Sequence, residues 1–271
     1  MKHIRTRLFG ITLSFIMLIS LLPVTALAGE TAWDGTMVDT NWYDVNATEF
    51  TISDSADLAG LAKLVNAGNN FSDKTIKLGA DIDLGGKEWT PIGNSTNKFE
   101  GVFDGDEHTI TNLYVNKPNS THQGLFGYIK GTGYTNCLVT DLNLTNVNVT
   151  GFNYTGGLSG QAYTCGFKNV TVSGNVIGGR YVGGLVGHVY TQFEGCNFVG
   201  SVTGEYGLRD QIGGIAGSGD GRFYNCTAIQ GADSEYLVSG DCWNGGIIGG
   251  GQEGASAIDC YVKGNIMNKS E

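Results

Sequence analysis

One glycine-rich phrase returns five times in this chain: "GLFGYI" from Gly124, "GGLSGQ" from Gly156, "GGLVGH" from Gly183, "GGIAGS" from Gly213 and "GGIIGG" from Gly245. Aligned on the last shared glycine, the phrases fall at Gly127, Gly160, Gly187, Gly217 and Gly249, in steps of 33, 27, 30 and 32 residues. A period of this length signals a solenoid, whose units bury their apolar faces only by stacking on each other. Glycine supplies 44 of the 271 residues, well above the usual share of about 7%. The strict triplet of collagen is absent, so the excess serves this repeat.

A second element follows each phrase: "YTNCLV", "FKNVTVSG", "FEGCNFVG", "FYNCTAIQG" and "AIDCYVKG". Phe167, Phe193 and Phe223 share a column, Asn136, Asn169, Asn225 and Asp259 the next, and Cys137, Val170, Cys196, Cys226 and Cys260 a third. Two positions later come Val139, Val172, Phe198, Ala228 and Val262. An aromatic, an Asn or Asp and then an alternating apolar pair describe a strand turning a corner, because Asn and Asp tolerate left-handed backbone. The leucine or isoleucine of each phrase can face the core while its glycines let the chain bend or approach the neighbouring rung. Several short strands per period predict an all-β, right-handed parallel β-helix of about six rungs, the hand following from the crossover rule.

Ahead of the array, "SDSADLAGLAKLVNAG" places Leu58, Leu61, Leu64 and Val65 at helical spacing, with Ser and Asp before them and Gly68 after. This predicts an N-terminal helical cap over residues 55–70, covering core and strand edges that an open solenoid end would expose. Residues 29–54 read as a lead-in, and residues 71–271 as the β-helix. The first 28 residues combine Lys2, Arg5 and Arg7, an apolar run and the small residues Ala26 to Ala28, which is the pattern of a cleaved secretory signal peptide. Its removal leaves 13 Lys and Arg against 26 Asp and Glu, a formal charge of −13. Such a chain repels nucleic acid and acidic membrane surfaces, and no remaining stretch is apolar enough to span a bilayer as a helix. The expected location is extracellular, secreted or on the cell surface.

The order "WDGT…WYDV", "LAGLAKLVNAG", "KTIKLGADIDL", "WTPIG", "FEGVFDG", "HTITNLYV", "GLFGYI" and then the "GGLVG…NC" repeats resembles exported bacterial proteins that carry the GLUG motif. The resemblance runs over nearly all of Ala32 to Ile266. It implies a surface β-helix of the kind found beside immunoglobulin A-cleaving metalloproteases and in adhesins, with the repeat itself not the protease.

The residues offer little catalytic chemistry. His108, His122 and His188 are accompanied by no HExxH helix, GxSxG elbow or nucleotide loop, and they read as strand or turn residues. Paired aspartates, Asp81 with Asp83 and Asp104 with Asp106, would suit a glycosidase or polysaccharide lyase. Each pair also fits a strand or turn, so a carbohydrate-active enzyme is the alternative and not the first reading. "DGDE" at Asp104 lacks the length of a calcium loop and no CxxC pair suggests zinc, so no metal and no cofactor is expected. Six cysteines in an exported chain would ordinarily imply disulfides, but most of them fall in an inward column where they suit small buried thiols. The Asn-x-Ser/Thr triplets read as turn and surface usage.

The residue two before each glycine pair is Tyr154, Tyr181, Gln211 or Trp243. In register these would form a ladder along one edge of the helix, and aromatic rows suit the apolar faces of sugars. The expectation is a non-catalytic binding or adhesion module for a glycan or protein of a host or cell surface, with Tyr154, Tyr181 and Trp243 in contact. A passive spacer of a larger surface protein is a further alternative. The C-terminal "DCYVKGNIMNKSE" offers no cap, so the sequence predicts either a longer chain or self-association through an open end.

Overall fold

The computed structural model describes residues 32–133, 136–205 and 210–269. The signal peptide read over residues 1–28 lies outside them. The described chain is a parallel β-helix in which inward side chains stack in columns. One column runs Phe50, Ile76, Phe103, Val139, Phe167, Phe193, Phe223, Ala257, each residue the register partner of the next. Those eight levels make about seven turns, one more than the sequence suggests. The extra level is the strand Glu49–Ile52, which pairs with Thr75–Leu78 although it lies in the stretch read as a lead-in. A second column runs Ile82, Ile110, Leu144, Val172, Phe198, Ala228, Val262. A third runs Val115, Val149, Val176, Val202, Val238, Ile266. The glycine phrases add a separate four-stranded parallel sheet of Thr155–Gly156, Val182–Gly183, Gln211–Gly213 and Trp243–Gly245.

The corner between the first two columns is built as its residue types require. Asp141, Asn169, Asn225 and Asp259 have φ of 50°, 52°, 51° and 52°, the left-handed region, and Gly195 holds the same place with φ 63°. Corner side chains bond from rung to rung. The Asn169 amide donates to Asp141 Oδ1 at 2.8 Å, and at the next corner, between the second and third columns, the Asn112 amide donates to Asp83 Oδ1 at 2.7 Å. Placing Asp141 in this column corrects the alignment of the first repeat. Val139 pairs with Phe103 and Phe167, so the corner falls at Asp141 and not Asn136. Leu142, not Cys137, then pairs with Val170, and Leu144, not Val139, with Val172. Cys137 turns inward one bend earlier, its carbonyl bonded to the Gly166 amide at 2.9 Å.

The glycines of the phrase answer two separate crowding problems. A Cβ on Gly187 would lie 2.5 Å from the Thr155 nitrogen and 2.6 Å from the Tyr181 oxygen, because the small sheet packs backbone to backbone against the neighbouring strand. A Cβ on Gly184 would lie 2.2 Å from the Gly214 oxygen and 2.4 Å from the Phe198 ring, because rung and core side chain close on it from both sides. Contacts this short exclude any larger residue without a shift of backbone, so the phrase must recur wherever the rung recurs.

A helix, α1 (Ser55–Asn66), closes the N-terminal end with residues 33–47. Asp54 caps it, accepting the Asp57 amide at 2.8 Å, and Gly68 follows with φ 107°. Leu58, Leu61 and Val65 are fully buried, each burial stabilising by about 1.5–3 kcal/mol relative to exposure. Trp42, Tyr43, Phe50 and Phe71 complete this end as an edge-to-face and stacked cluster with centroids 5.3–6.2 Å apart. The helix is shorter than the 55–70 predicted. No described helix is long and apolar enough to cross a membrane. Cys137, Cys165, Cys196, Cys226 and Cys260 are unbridged; the first four are buried, and burial pushes the Cys196 thiol well up.

Candidate functional site: an aromatic and amide groove

The ladder predicted from the glycine pairs is in register. Thr155 pairs with Val182, Val182 with Ile212 and Gln211 with Trp243, which stacks Tyr154, Tyr181, Gln211 and Trp243 on successive rungs. His122 extends it by one rung, since Gln123 pairs with Thr155. The rings pack on each other: His122 on Tyr154 with centroids 4.9 Å apart, and Tyr154 on Tyr181 at 5.1 Å and 23°. The Arg180 guanidinium lies 4.8 Å from the Tyr181 ring centre. Tyr154 and Tyr181 therefore turn edges and hydroxyls outward while their faces are covered. Trp243, 54% exposed, is the ladder ring open to solvent.

Two further columns face this ladder, and the sequence reading missed both. Strands Phe126–Lys130, Ser159–Gly178, Val186–Glu194 and Ala216–Tyr224 stack Tyr128, Gln161, His188 and Ser218 in one column. Two residues along each strand they stack Lys130, Tyr163, Tyr190 and Asp220 in another. The small sheet folds against these strands at the glycines, so the columns converge in a groove. His188 lies 5.2 Å from Tyr181, 5.7 Å from Tyr154 and 5.4 Å from Tyr190, centroid to centroid, while Tyr163 and Tyr190 are 4.6 Å apart. Lys98 stands 5.6 Å over the Tyr128 ring at one end.

Burial favours the neutral form of both groove histidines. His188 is 9% exposed, and burial pushes its pKa down to about 4. Burial also lowers His122, partly countered by its bond to Gln161. A neutral His122 donates from Nε2 to Gln161 Oε1 at 2.9 Å, and the Gln161 amide faces His188 Nδ1 at 3.5 Å, where a neutral ring can accept. Burial pushes Tyr163 up to about 12, assisted by Tyr190 and Tyr128, and Tyr190 donates to Gln252 Oε1 at 2.7 Å. Apart from Arg180 beside Tyr181, the middle of the groove is thus phenol, imidazole and amide.

Toward Trp243 the groove opens into a cleft of about 290 Å³ lined by Gln211, Ser218, Trp243 and the backbone of Gly249 to Gly251, with Gln252 at its edge. Gln211 Oε1 is buried there without a hydrogen-bond partner. A more apolar recess of about 500 Å³ lies at the opposite end of the molecule, between α1, Trp33 and Trp89. Both of its indole N–H groups are already engaged, by Met37 and Leu125 carbonyls.

The aspartates considered for catalysis sit at strand ends and turns, Asp83 and Asp104 each closing a strand and Asp106 in the turn that follows. Asp81 accepts the Thr109 amide at 2.8 Å and faces His108 at 3.3 Å, Asp83 accepts the Gly85 amide and the Asn112 side chain, and Asp104 accepts the Asp106 amide at 2.9 Å. Among the described residues no three His, Cys, Asp or Glu converge as a metal site.

Comparison with known proteins bears on this architecture. The GLUG motif family matches residues 178–203, one rung from the small sheet through the corner at Gly195. A Gly-rich membrane protein of Evansella cellulosilytica is 35% identical over 97 residues, 35% of this chain and 11% of that protein. Halomucin of Haloquadratum walsbyi is 30% identical over 164 residues, 55% of this chain and 2% of halomucin. The chain therefore spans only a small part of the length of either relative. No solved structure is significantly similar. The fold and the recurring rung define a β-solenoid built from glycine-notched units. The chain carries the GLUG motif at residues 178–203, and the glycine phrase within it recurs on the neighbouring rungs.

Proposed function

We propose that this protein is an exported, cell-surface module that binds glycans without transforming them, through the groove between the small sheet and the main stack. The observation that carries the reading is the convergence of three columns of aromatic and amide side chains, repeated rung by rung, on one outward face. Rigid aromatic edges, phenol hydroxyls and amides recognise hydroxyl-rich surfaces, and the exposed Trp243 adds an apolar platform. The export signal and the relatives named as a membrane protein and a halomucin support the surface location.

The test is a glycan array probed with the wild-type protein and with a Tyr181→Ala, Trp243→Ala double variant. The expected result is binding to a restricted set of glycans, reduced at least tenfold in the variant. Undiminished binding in the variant would reject the groove as the site. Silence of the wild type on both the array and intact cells would favour a passive spacer, and reducing ends released from any polysaccharide would favour the enzyme reading.

A further inference from the structure

Five rungs present the groove in the same order. They are His122 with Tyr128 and Lys130, Tyr154 with Gln161 and Tyr163, and Tyr181 with His188 and Tyr190, followed by Gln211 with Ser218 and Asp220, and Trp243 with Gly250. Parallel strands lie about 4.8 Å apart, so this array is about 19 Å long and repeats along the solenoid axis. Charge gathers at its margins. Lys98 and Lys130 stand at one end, where Glu100 follows the Phe99 that pairs with Ile129, and Asp220 stands toward the other. The exposed Arg180 lies against the Tyr181 ring at the middle rung. Apart from it, the columns between these margins carry phenols, neutral imidazoles, amides and a serine.

Resting on the glycan-binding reading, we infer that the ligand is an uncharged, extended polysaccharide laid along the solenoid axis, with successive sugars meeting successive rungs. The covered ring faces exclude flat stacking in the centre, so Tyr154, Tyr163, Tyr181 and Tyr190 present edges and hydroxyls to the chain. The Trp243 cleft takes one sugar face to face, beside Gln211 and Ser218. A polyanion gains little here, because Arg180 is already engaged by the Tyr181 ring and the chain as a whole is acidic.

Isothermal titration of the whole mature protein tests this with named probes. They are β-1,4-linked hexasaccharides of glucose, mannose and N-acetylglucosamine, the matching disaccharides, and polygalacturonate. The inference expects at least one neutral hexasaccharide to bind at least tenfold tighter than its disaccharide, with affinity unchanged between 50 and 500 mM salt. It also expects a Tyr163→Ala, Tyr190→Ala double variant to lose at least tenfold, while Tyr224→Ala, at the end of the neighbouring strand Ala216–Tyr224 and lining a different recess, loses nothing. Tighter, salt-sensitive binding of polygalacturonate would overturn the ligand class and leave glycan binding standing. Equal affinity for disaccharide and hexasaccharide would overturn the axial arrangement. No binding to any probe by a folded protein would overturn both this inference and the reading beneath it.

Discussion

The two ends of the solenoid use the same columns and fare differently. At the N-terminal end α1 and residues 33–47 lie over the first rungs, and Phe50, Ile52, Leu58, Leu61 and Val65 are buried. At the last described rung Val262 stacks on Ala228 and Ile266 on Val238, yet Val262 is 37% and Ile266 47% exposed while both partners are fully buried. Ile258 and Tyr261 beside them are 48% and 55% exposed. Residue type and strand geometry match between these rungs; what changes is whether another layer lies above. Burial in this fold is conferred by the neighbouring rung, as expected for a repeat protein whose stability is a sum of unit and interface contributions.

The comparison breaks most visibly through the core. Phe193 stacks between Phe167 and Phe223 at 4.9 and 4.8 Å, so Phe193→Ala should cost about 3–5 kcal/mol in denaturant unfolding. In the cap, Leu61→Ala should cost about 2–5 kcal/mol by the same cavity argument, and a cost near zero would show that α1 does not seal the end.

A third test is pH. His188 faces Tyr154, Tyr163, Tyr181, Tyr190 and the Gln161 amide, with Arg180 and Asp220 the nearest charges along those elements. Its folded pKa of about 4 is below the unfolded value near 6.5, so between these values the unfolded chain binds the extra proton. Stability should therefore fall as pH drops from about 6.5 toward 4, and His188→Gln should flatten that slope. A wild-type slope surviving in His188→Gln would assign it elsewhere.

Smaller effects complete the series. Asp54→Ala removes the α1 cap and should cost about 1 kcal/mol. Ile266→Ala should cost less than about 1 kcal/mol because the side chain is 47% exposed among the described residues.

Much of the fold was legible because the glycine and Asn columns record backbone geometry directly. A residue with no room for Cβ, or one held at positive φ, has few substitutes. The first repeat misled because "TNCL" and "TDLN" both satisfy the corner, and only pairing with Phe103 decides for Asp141. The ladder of Tyr154, Tyr181 and Trp243 was readable from its fixed offset to the glycine pair. Gln161 with Tyr163 and His188 with Tyr190 follow their ladder residues at offsets of seven and nine, a signal present in the sequence. It went unread because outward positions carry no constraint on residue type until the groove's concavity is known. His188 looked like an ordinary strand residue for the same reason.

Hydrogen exchange resolved along the chain tests the central claim most directly. If each rung is protected by its neighbours, amides of Val186–Glu194 and Asn197–Gly204 should exchange most slowly, those of α1 at an intermediate rate, and those of Tyr261–Lys263 and Ile266–Asn268 fastest. Uniform protection from the first rung to the last, or slowest exchange at Ile266–Asn268, would contradict it.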